Sequence, residues 1–252
     1  MKIDLTGKRA LVTGAGRDIG RAIAEALARC GAAVAVNYRA SKDQAEEVVQ
    51  AIRAEGGTAI AVQADVTRAD EVERMIQEVV QQLGGNLDIL VNNAGGLVQR
   101  SAIADMPEEL WDQVMNVNLK SVFLVTKAAL KYFNDGGAIV NVSSLAARNG
   151  GGNGAVAYAA AKGGVLTFTR GLAKELASRK IRVNCVSPGL INTTFHDRFT
   201  PPEARQRTAS ATPLGREGEA SEVAAGVVFL ASDLASYING ESLEINGGLY
   251  FV

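Results

Sequence analysis

The residues best equipped to do chemistry lie within residues 140–162, VNVSSLAARNGGGNGAVAYAAAK. A serine pair, Ser143 and Ser144, precedes a glycine-rich run, and Tyr158 is followed four positions later by Lys162. On a helix, positions i and i+4 share a face, and the intervening alanines 159–161 favour that helix. A phenol titrates near pH 10, too high to ionise readily at neutrality. A neighbouring ammonium favours the phenolate and lowers that value. The pair can then pass a proton to or from the oxygen of a carbonyl/alcohol couple. A serine hydroxyl at the end of the preceding strand can hold that same oxygen. A tyrosine and a lysine at this spacing also suit an ordinary surface pair, so the assignment depends on the elements that position them.

Short apolar runs at 10–13, 33–37, 59–63, 87–91, 138–142, 182–186 and 242–245 alternate with helix-length segments. Those segments cover about 19–30, 41–55, 69–83, 107–132, 155–179 and 220–231. Most of the apolar runs have no polar face, as expected of strands buried in a parallel sheet. The alternation predicts an α/β fold, a doubly wound, Rossmann-like parallel sheet of about seven strands with helices on both faces. A single dinucleotide-binding and catalytic domain is expected over 1–252, joined by right-handed crossovers. The polar segment 190–218, LINTTFHDRFTPPEARQRTASATPLGREG, reads as the least regular part and as a substrate loop or lid.

The first strand runs into Thr13-Gly14-Ala15-Gly16-Arg17-Asp18-Ile19-Gly20, and a helix follows. Glycines at such a turn let a pyrophosphate approach backbone N–H groups, and the helix N-terminus favours the negative charge. Gly14, Gly16 and Gly20, with Arg17 and Ile19, are therefore expected against a dinucleotide. The second strand ends at Asn37-Tyr38-Arg39, followed by Ser41, with no acid before Asp43. NAD sites commonly place a carboxylate at this point to bind the ribose 2′-OH. Arg17 and Arg39 can instead pair with a 2′-phosphate, and Ser41 can donate to it, so NADP(H) is expected over NAD(H). The competing reading makes Arg39 a solvated surface charge.

Composition excludes several function classes. The 252 residues are 47% hydrophobic and 21% charged with a formal net charge of −1, which leaves no disorder signature and no basic excess for a nucleic-acid partner. Cys30 and Cys185 lack metal or redox spacing and read as buried apolar residues. His196 is the only histidine, so neither a histidine triad nor a multi-histidine metal site can be built, and no metal is expected. No leader-like apolar start and no apolar run of membrane-spanning length are present, so a cytoplasmic protein without a membrane partner is expected. Trp111 reads as helix packing, and the adjacent acids Glu46/Glu47 and Glu108/Glu109 point apart on their helices.

Taken in order, these motifs resemble those of the short-chain dehydrogenase/reductase family over essentially the whole chain. They are TGAGRDIG, Asp65-Val66, Asn92-Asn93-Ala94-Gly95, Asn118 in NVNL, Ser144, Tyr158 with Lys162, and Pro188-Gly189 with Ile191 and Thr193. VNNAG, VNVSS and VNCVSPG look like the branch containing the 3-oxoacyl-acyl-carrier-protein reductases. The resemblance implies that Tyr158 is the catalytic acid/base, that Lys162 lowers its pKa and holds the nicotinamide ribose, and that Ser144 polarises the substrate carbonyl. It implies that Asn118 interrupts a helix and anchors a water in a proton relay. Asp65 and Val66 would flank the adenine, and Asn92, Ala94 and Gly95 would line the adenosine ribose side. Pro188, Gly189, Ile191 and Thr193 would embrace the nicotinamide.

The resemblance further implies an NADPH-dependent reductase of a small-molecule carbonyl or acyl-thioester substrate. It makes acyl-carrier protein a candidate partner, with Arg100, Lys120, Arg148 and Arg198 as a basic patch, and predicts a homotetramer. The alternatives are a dehydrogenase of a sugar, polyol or other secondary alcohol, and a nicotinamide-binding regulatory protein without turnover. Two departures stand out. Asp18 replaces the family's middle glycine, and its carboxylate is expected to turn away from the phosphates. Ser144 lies fourteen residues before Tyr158, one more than in many relatives. The extra residue is expected in the loop 149–154, with Ser144 rather than Ser143 facing the tyrosine. Phe195 and Phe199 are candidates for an apolar substrate wall.

Overall fold

The carboxyl ends of seven parallel strands, in the order β3-β2-β1-β4-β5-β6-β7, carry almost every residue singled out above in the computed structural model, which describes residues 2–252. The strands are β1 (Arg9–Val12), β2 (Ala33–Tyr38), β3 (Ala59–Gln63), β4 (Leu87–Asn92), β5 (Phe133–Val142), β6 (Arg182–Pro188) and β7 (Ser242–Ile245). Strand order reverses between β1 and β4. Such a switch point opens a crevice beyond the strand ends, where ligands of doubly wound sheets bind.

Alternation along each strand sends side chains into two apolar layers. Ala10, Val12, Val34 and Val36 face α1 (Asp18–Arg29), α2 (Lys42–Ala54) and α10 (Ala220–Ala231). Leu11, Ala35, Leu90 and Ile139 face α3 (Ala69–Gln82), α5 (Ser121–Ala129) and α7 (Val156–Glu175). Period-3.6 apolar stripes answer them, such as Ile23, Ala24 and Leu27 on α1 and Val72, Met75, Ile76 and Val79 on α3. No helix among the described residues is long and apolar enough to cross a membrane.

One expectation changes, in 190–218. The helical segment 107–132 is α4 (Glu108–Met115), a π-helical turn (Asn116–Lys120), then α5, interrupted around Asn118 as the resemblance implied. The Asn118 amide there donates to Val114 O at 2.9 Å and to Gly96 O at 2.8 Å, so the widened turn serves a contact outside the helix. The segment 190–218 is more regular than its composition suggests. It folds as α8 (Thr194–Phe199) and α9 (Pro202–Ala211). Thr193 is extended before α8, and Pro202 occupies the start of α9, where its missing N–H costs nothing. The remaining short helix, α6 (Ala146–Asn149), follows Ser144 after one residue, Leu145.

The glycine turn packs too tightly for side chains. A Cβ at Gly20 would lie 2.3 Å from Gly14 O and 2.6 Å from Asn93 Nδ2. Gly20→Ala is expected to cost about 1–3 kcal/mol, the usual range for overpacking. Urea unfolding of the variant beside the parent chain measures it.

Candidate functional site

Neutral side chains hold the phosphate end of the crevice. Thr13 Oγ1 accepts from the Asn93 and Ala94 N–H groups, both at 3.0 Å, and donates to Val91 O at 3.3 Å. The Asn93 amide donates to Thr13 O at 2.9 Å and Gly14 O at 3.1 Å. Asn37 Oδ1 accepts from Gly14 N at 3.1 Å, while its amide donates to Val62 O and Ala64 O. The turn is thereby fixed from β2, β3 and β4 at once. Arg17, extended at the head of α1, supplies no side-chain cap, so the first N–H groups of the helix remain available to an anion.

Polar and basic side chains border the turn. A Cβ at Gly14 would sit 3.0 Å from Ala94 Cα, and one at Gly16 would sit 3.3 Å from Ser41 Oγ, so Ser41 borders the turn. The Arg17 and Arg39 guanidinium groups are largely exposed around it, and Arg39 Nη1 lies 3.9 Å from Asp65 Oδ2. Asp65 is held by Thr67, whose N–H and hydroxyl donate to Oδ1 at 2.9 and 2.7 Å. Val66 is buried beside it.

At the other end, Lys162 is buried and its Nζ donates to Val142 O at 2.7 Å. Burial pushes the ammonium down to about 8. Gly95 must be bare, because a Cβ there would lie 2.7 Å from Asn118 Oδ1 and 3.1 Å from Lys162 Nζ. Asn118 Oδ1 accepts from Gly96 N at 2.9 Å, which ties the loop after β4 to the π-helical turn. Ser143 Oγ donates to Lys162 O at 2.8 Å and is buried. Ser144 Oγ accepts from Ala146 N at 3.1 Å and keeps its hydroxyl in reach of Tyr158. The lengthened loop turns at Gly150, Gly151 and Gly154, with φ of 82°, 75° and 72°.

Lys162 Nζ stands 5.8 Å from the Tyr158 ring centroid. The tyrosine's titration differs from the expectation of a dominant ammonium. Burial pushes the phenol up, and the Ser144 hydroxyl partly draws it back. The half-buried phenol is therefore held protonated at neutral pH and suits a proton donor.

The segment after β6 covers the crevice. Pro188 O accepts from Leu145 N at 2.8 Å, and Gly189 lies against Asn246, where a Cβ would come within 2.8 Å. Ile191 and Thr193 are buried, and Thr193 Oγ1 donates to Ile191 O at 3.1 Å. Phe195 of α8 packs on Tyr158 with ring centroids 5.9 Å apart and on Phe199 at 5.2 Å. Val98, Met106 and Trp111 pack around the cluster that includes Tyr158, and Val98 has a φ of 64°. The Asp18 carboxylate accepts from Thr194 N at 3.1 Å and Thr194 Oγ1 at 2.5 Å.

Several assigned residues lie elsewhere. The Asn92 side chain is buried between strands, donating to Thr126 Oγ1 at 3.1 Å and Asn141 Oδ1 at 2.9 Å, so it braces β4 and only its backbone faces the end of the strand. The expected basic patch assembles only in part, with Arg100 and Arg198 both against Phe199. Arg148 is taken up by Glu244 at 3.0 Å, and Arg100 donates to Phe199 O and Asn153 O. Lys120 borders a separate apolar groove with Leu119, Phe123 and Phe168. Arg198 stacks on Phe199 at 4.9 Å.

A family model described as enoyl-(acyl carrier protein) reductase matches residues 14–250. The 3-oxoacyl-[acyl-carrier-protein] reductase FabG of Staphylococcus aureus is 46% identical over 245 residues, covering 96% of this chain and 98% of that protein. A Synechocystis 3-oxoacyl-[acyl-carrier-protein] reductase is 44% identical over 248 residues, covering 97% and 98%. A short-chain dehydrogenase from Burkholderia cenocepacia, solved in complex with NADP, superposes with a TM-score of 0.91 at 39% identity, covering 97% and 98%. The chain belongs to the short-chain dehydrogenase/reductase family. As a member it is an oxidoreductase that uses a nicotinamide cofactor.

In this short-chain dehydrogenase/reductase, the supporting residues Thr13, Asn37 and Asn93 carry the phosphate turn without having been assigned to the site. Asn37 does leave a signal, as the one amide in the otherwise apolar strand AVAVNY. His196, on α8, bonds Thr200 through Nδ1 at 2.9 Å. Burial, then Arg205, push its pKa from 6.5 down to about 4, against Glu217 and Asp197. The unfolded chain therefore binds this proton first as pH falls, and stability is lost from about pH 6.5 towards 4. The melting temperature of His196→Gln is expected to fall less than that of the parent chain over this window, by calorimetry at pH 7 and 4.5.

Proposed function

We propose that the protein is an NADPH-dependent carbonyl reductase whose substrate class is 3-oxoacyl thioesters, with Tyr158 as acid/base. The observation that carries this reading is the convergence of Ser144, Tyr158 and Lys162 at the end of β5, with the lysine locked on Val142 O. When bound, the nicotinamide supplies a hydride to the carbonyl carbon. Negative charge then grows on the substrate oxygen. The Ser144 hydroxyl donates to that oxygen, and Tyr158 gives it the phenolic proton that completes the alcohol. Lys162 steadies the tyrosinate left behind and holds ribose hydroxyls. Asn118 keeps Gly95 and Gly96 against the lysine and anchors the relay that returns a proton.

The family model's description points to an enoyl reductase and the two FabG-type relatives to a 3-oxoacyl reductase. Two neighbouring hydroxyl donors would suit the oxygen of a carbonyl better than a carbon–carbon double bond. Phe195 and Phe199 form an aromatic wall beside Tyr158, which favours an acyl chain over a polyol. Substrate delivered on acyl-carrier protein accords with the relatives' names. Ser41, Arg17 and Arg39 at the rim of the glycine turn would hold a 2′-phosphate. The groove between α5 and α7, with Phe123 45% exposed, would accommodate one subunit interface of the proposed homotetramer, and a stable monomer on sedimentation would count against it.

Tyr158→Phe is expected to lower kcat on acetoacetyl thioester by roughly 10²–10⁴, the worth of a positioned proton donor, with NADPH still bound. Turnover near the parent rate, or preferential turnover of a crotonyl thioester by the parent, defeats the assignment. Arg39→Ala is expected to reduce the kcat/KM ratio of NADPH over NADH by about tenfold, as for a lost charge-assisted hydrogen bond. A parent enzyme that prefers NADH removes the cofactor assignment.

A further inference from the structure

Asp18 has a φ of 51°, the left-handed conformation that a glycine would adopt freely and that a side chain adopts only at a cost. A carboxylate held in that conformation has a specific set of partners. Its carboxylate lies 3.6 Å from Arg17 Nε and spans 176 residues of sequence to Thr194, the first residue of α8. One oxygen takes the Thr194 N–H and the other takes its hydroxyl. Thr193 does not cap α8 with its own side chain, so Asp18 supplies that cap from across the crevice.

The far end of the same helix is also tied. Arg100, from the loop after β4, donates to Phe199 O at 2.8 Å. Between the two anchors lies Phe195, packed on Tyr158. Helix α8 is thus a strap over the crevice, buckled at one end to the turn expected to hold the pyrophosphate and at the other to the substrate side.

We infer that Asp18 is a positioning residue: through Thr194 it fastens α8 over the bound dinucleotide, slowing cofactor release and holding Phe195 against Tyr158. The inference rests on the NADPH reading for its cofactor arm only. The carboxylate acts on the strap and not on the phosphates, which distinguishes it from a repulsive intruder in an anion site.

The test compares the full chain with Asp18→Gly, Asp18→Asn, Thr194→Val and the Asp18→Gly/Thr194→Val double variant. Glycine suits the φ at position 18, so the fold is retained. Hydrogen–deuterium exchange of the amides at 194–199 is expected to quicken about tenfold in Asp18→Gly, with or without NADPH. Asp18→Asn, which keeps an acceptor for Thr194 N, should restore most of the protection. Thr194→Val should give a partial effect, and the double variant no more than Asp18→Gly, the non-additivity of a shared contact. NADPH dissociation, followed by stopped-flow fluorescence, should quicken in parallel. Unchanged exchange in Asp18→Gly, additive effects in the double variant, or slower NADPH release from Asp18→Gly would overturn the inference. A parent chain that fails to bind NADPH would sink the cofactor reading while leaving the exchange result to judge the strap.

Discussion

A primary amine buried at the end of the sheet governs the rest of the crevice. Desolvating an ammonium is costly unless it is hydrogen-bonded, and Lys162 is only 3% exposed. Val142 O meets it directly. Gly95 has to be bare to let the amine and the Asn118 amide share one space. Asn118 in turn widens the helix into a π-helical turn so that its amide reaches Gly96 as well as Val114. The lysine's own carbonyl takes the Ser143 hydroxyl, and that leaves Ser144 as the serine beside Tyr158.

The phosphate end obeys a different constraint. Backbone groups of the glycine turn that are not needed for an anion must be satisfied inside the protein. Asn37, Thr13 and Asn93 satisfy them with neutral side chains from neighbouring strands, so no fixed charge competes with a phosphate. The one carboxylate in the turn is drawn off to Thr194. The two ends meet because the strand order reverses between β1 and β4, which brings the turn after β1 and the loop after β4 to one crevice.

Much of this was readable from local patterns. Both-face apolar runs separated by amphipathic stretches specify buried parallel strands with helices, and the seven strands fall within a few residues of the expected positions. The side chains beyond local reach were misread or unassigned. Asn92 sits in a motif beside Asn93, yet one braces the core and the other holds the turn, a division set by strand pleating against Thr126 and Asn141. Arg100 and Arg148 look like free cations in sequence, but the first bonds Phe199 and Asn153 and the second bonds Glu244, 96 residues away. The polar composition of 190–218 conceals two helices, because α8 is held by Asp18 and Arg100 at its ends and α9 by Arg205, which bonds Asp197, Asn192 and Glu217, more than by an apolar face.

By itself the sequence determined what depends on short range: the strand–helix alternation, the glycine turn opening a helix, and the placing of Tyr158 and Lys162 on one helical face. Periodicity and turn chemistry act over a few residues, so they leave a local signature. The tertiary structure alone decided which serine remains for Tyr158 and where the Asp18 carboxylate goes. Each of these is a question of which group satisfies which polar atom once water is removed, and that is settled only when distant segments pack together.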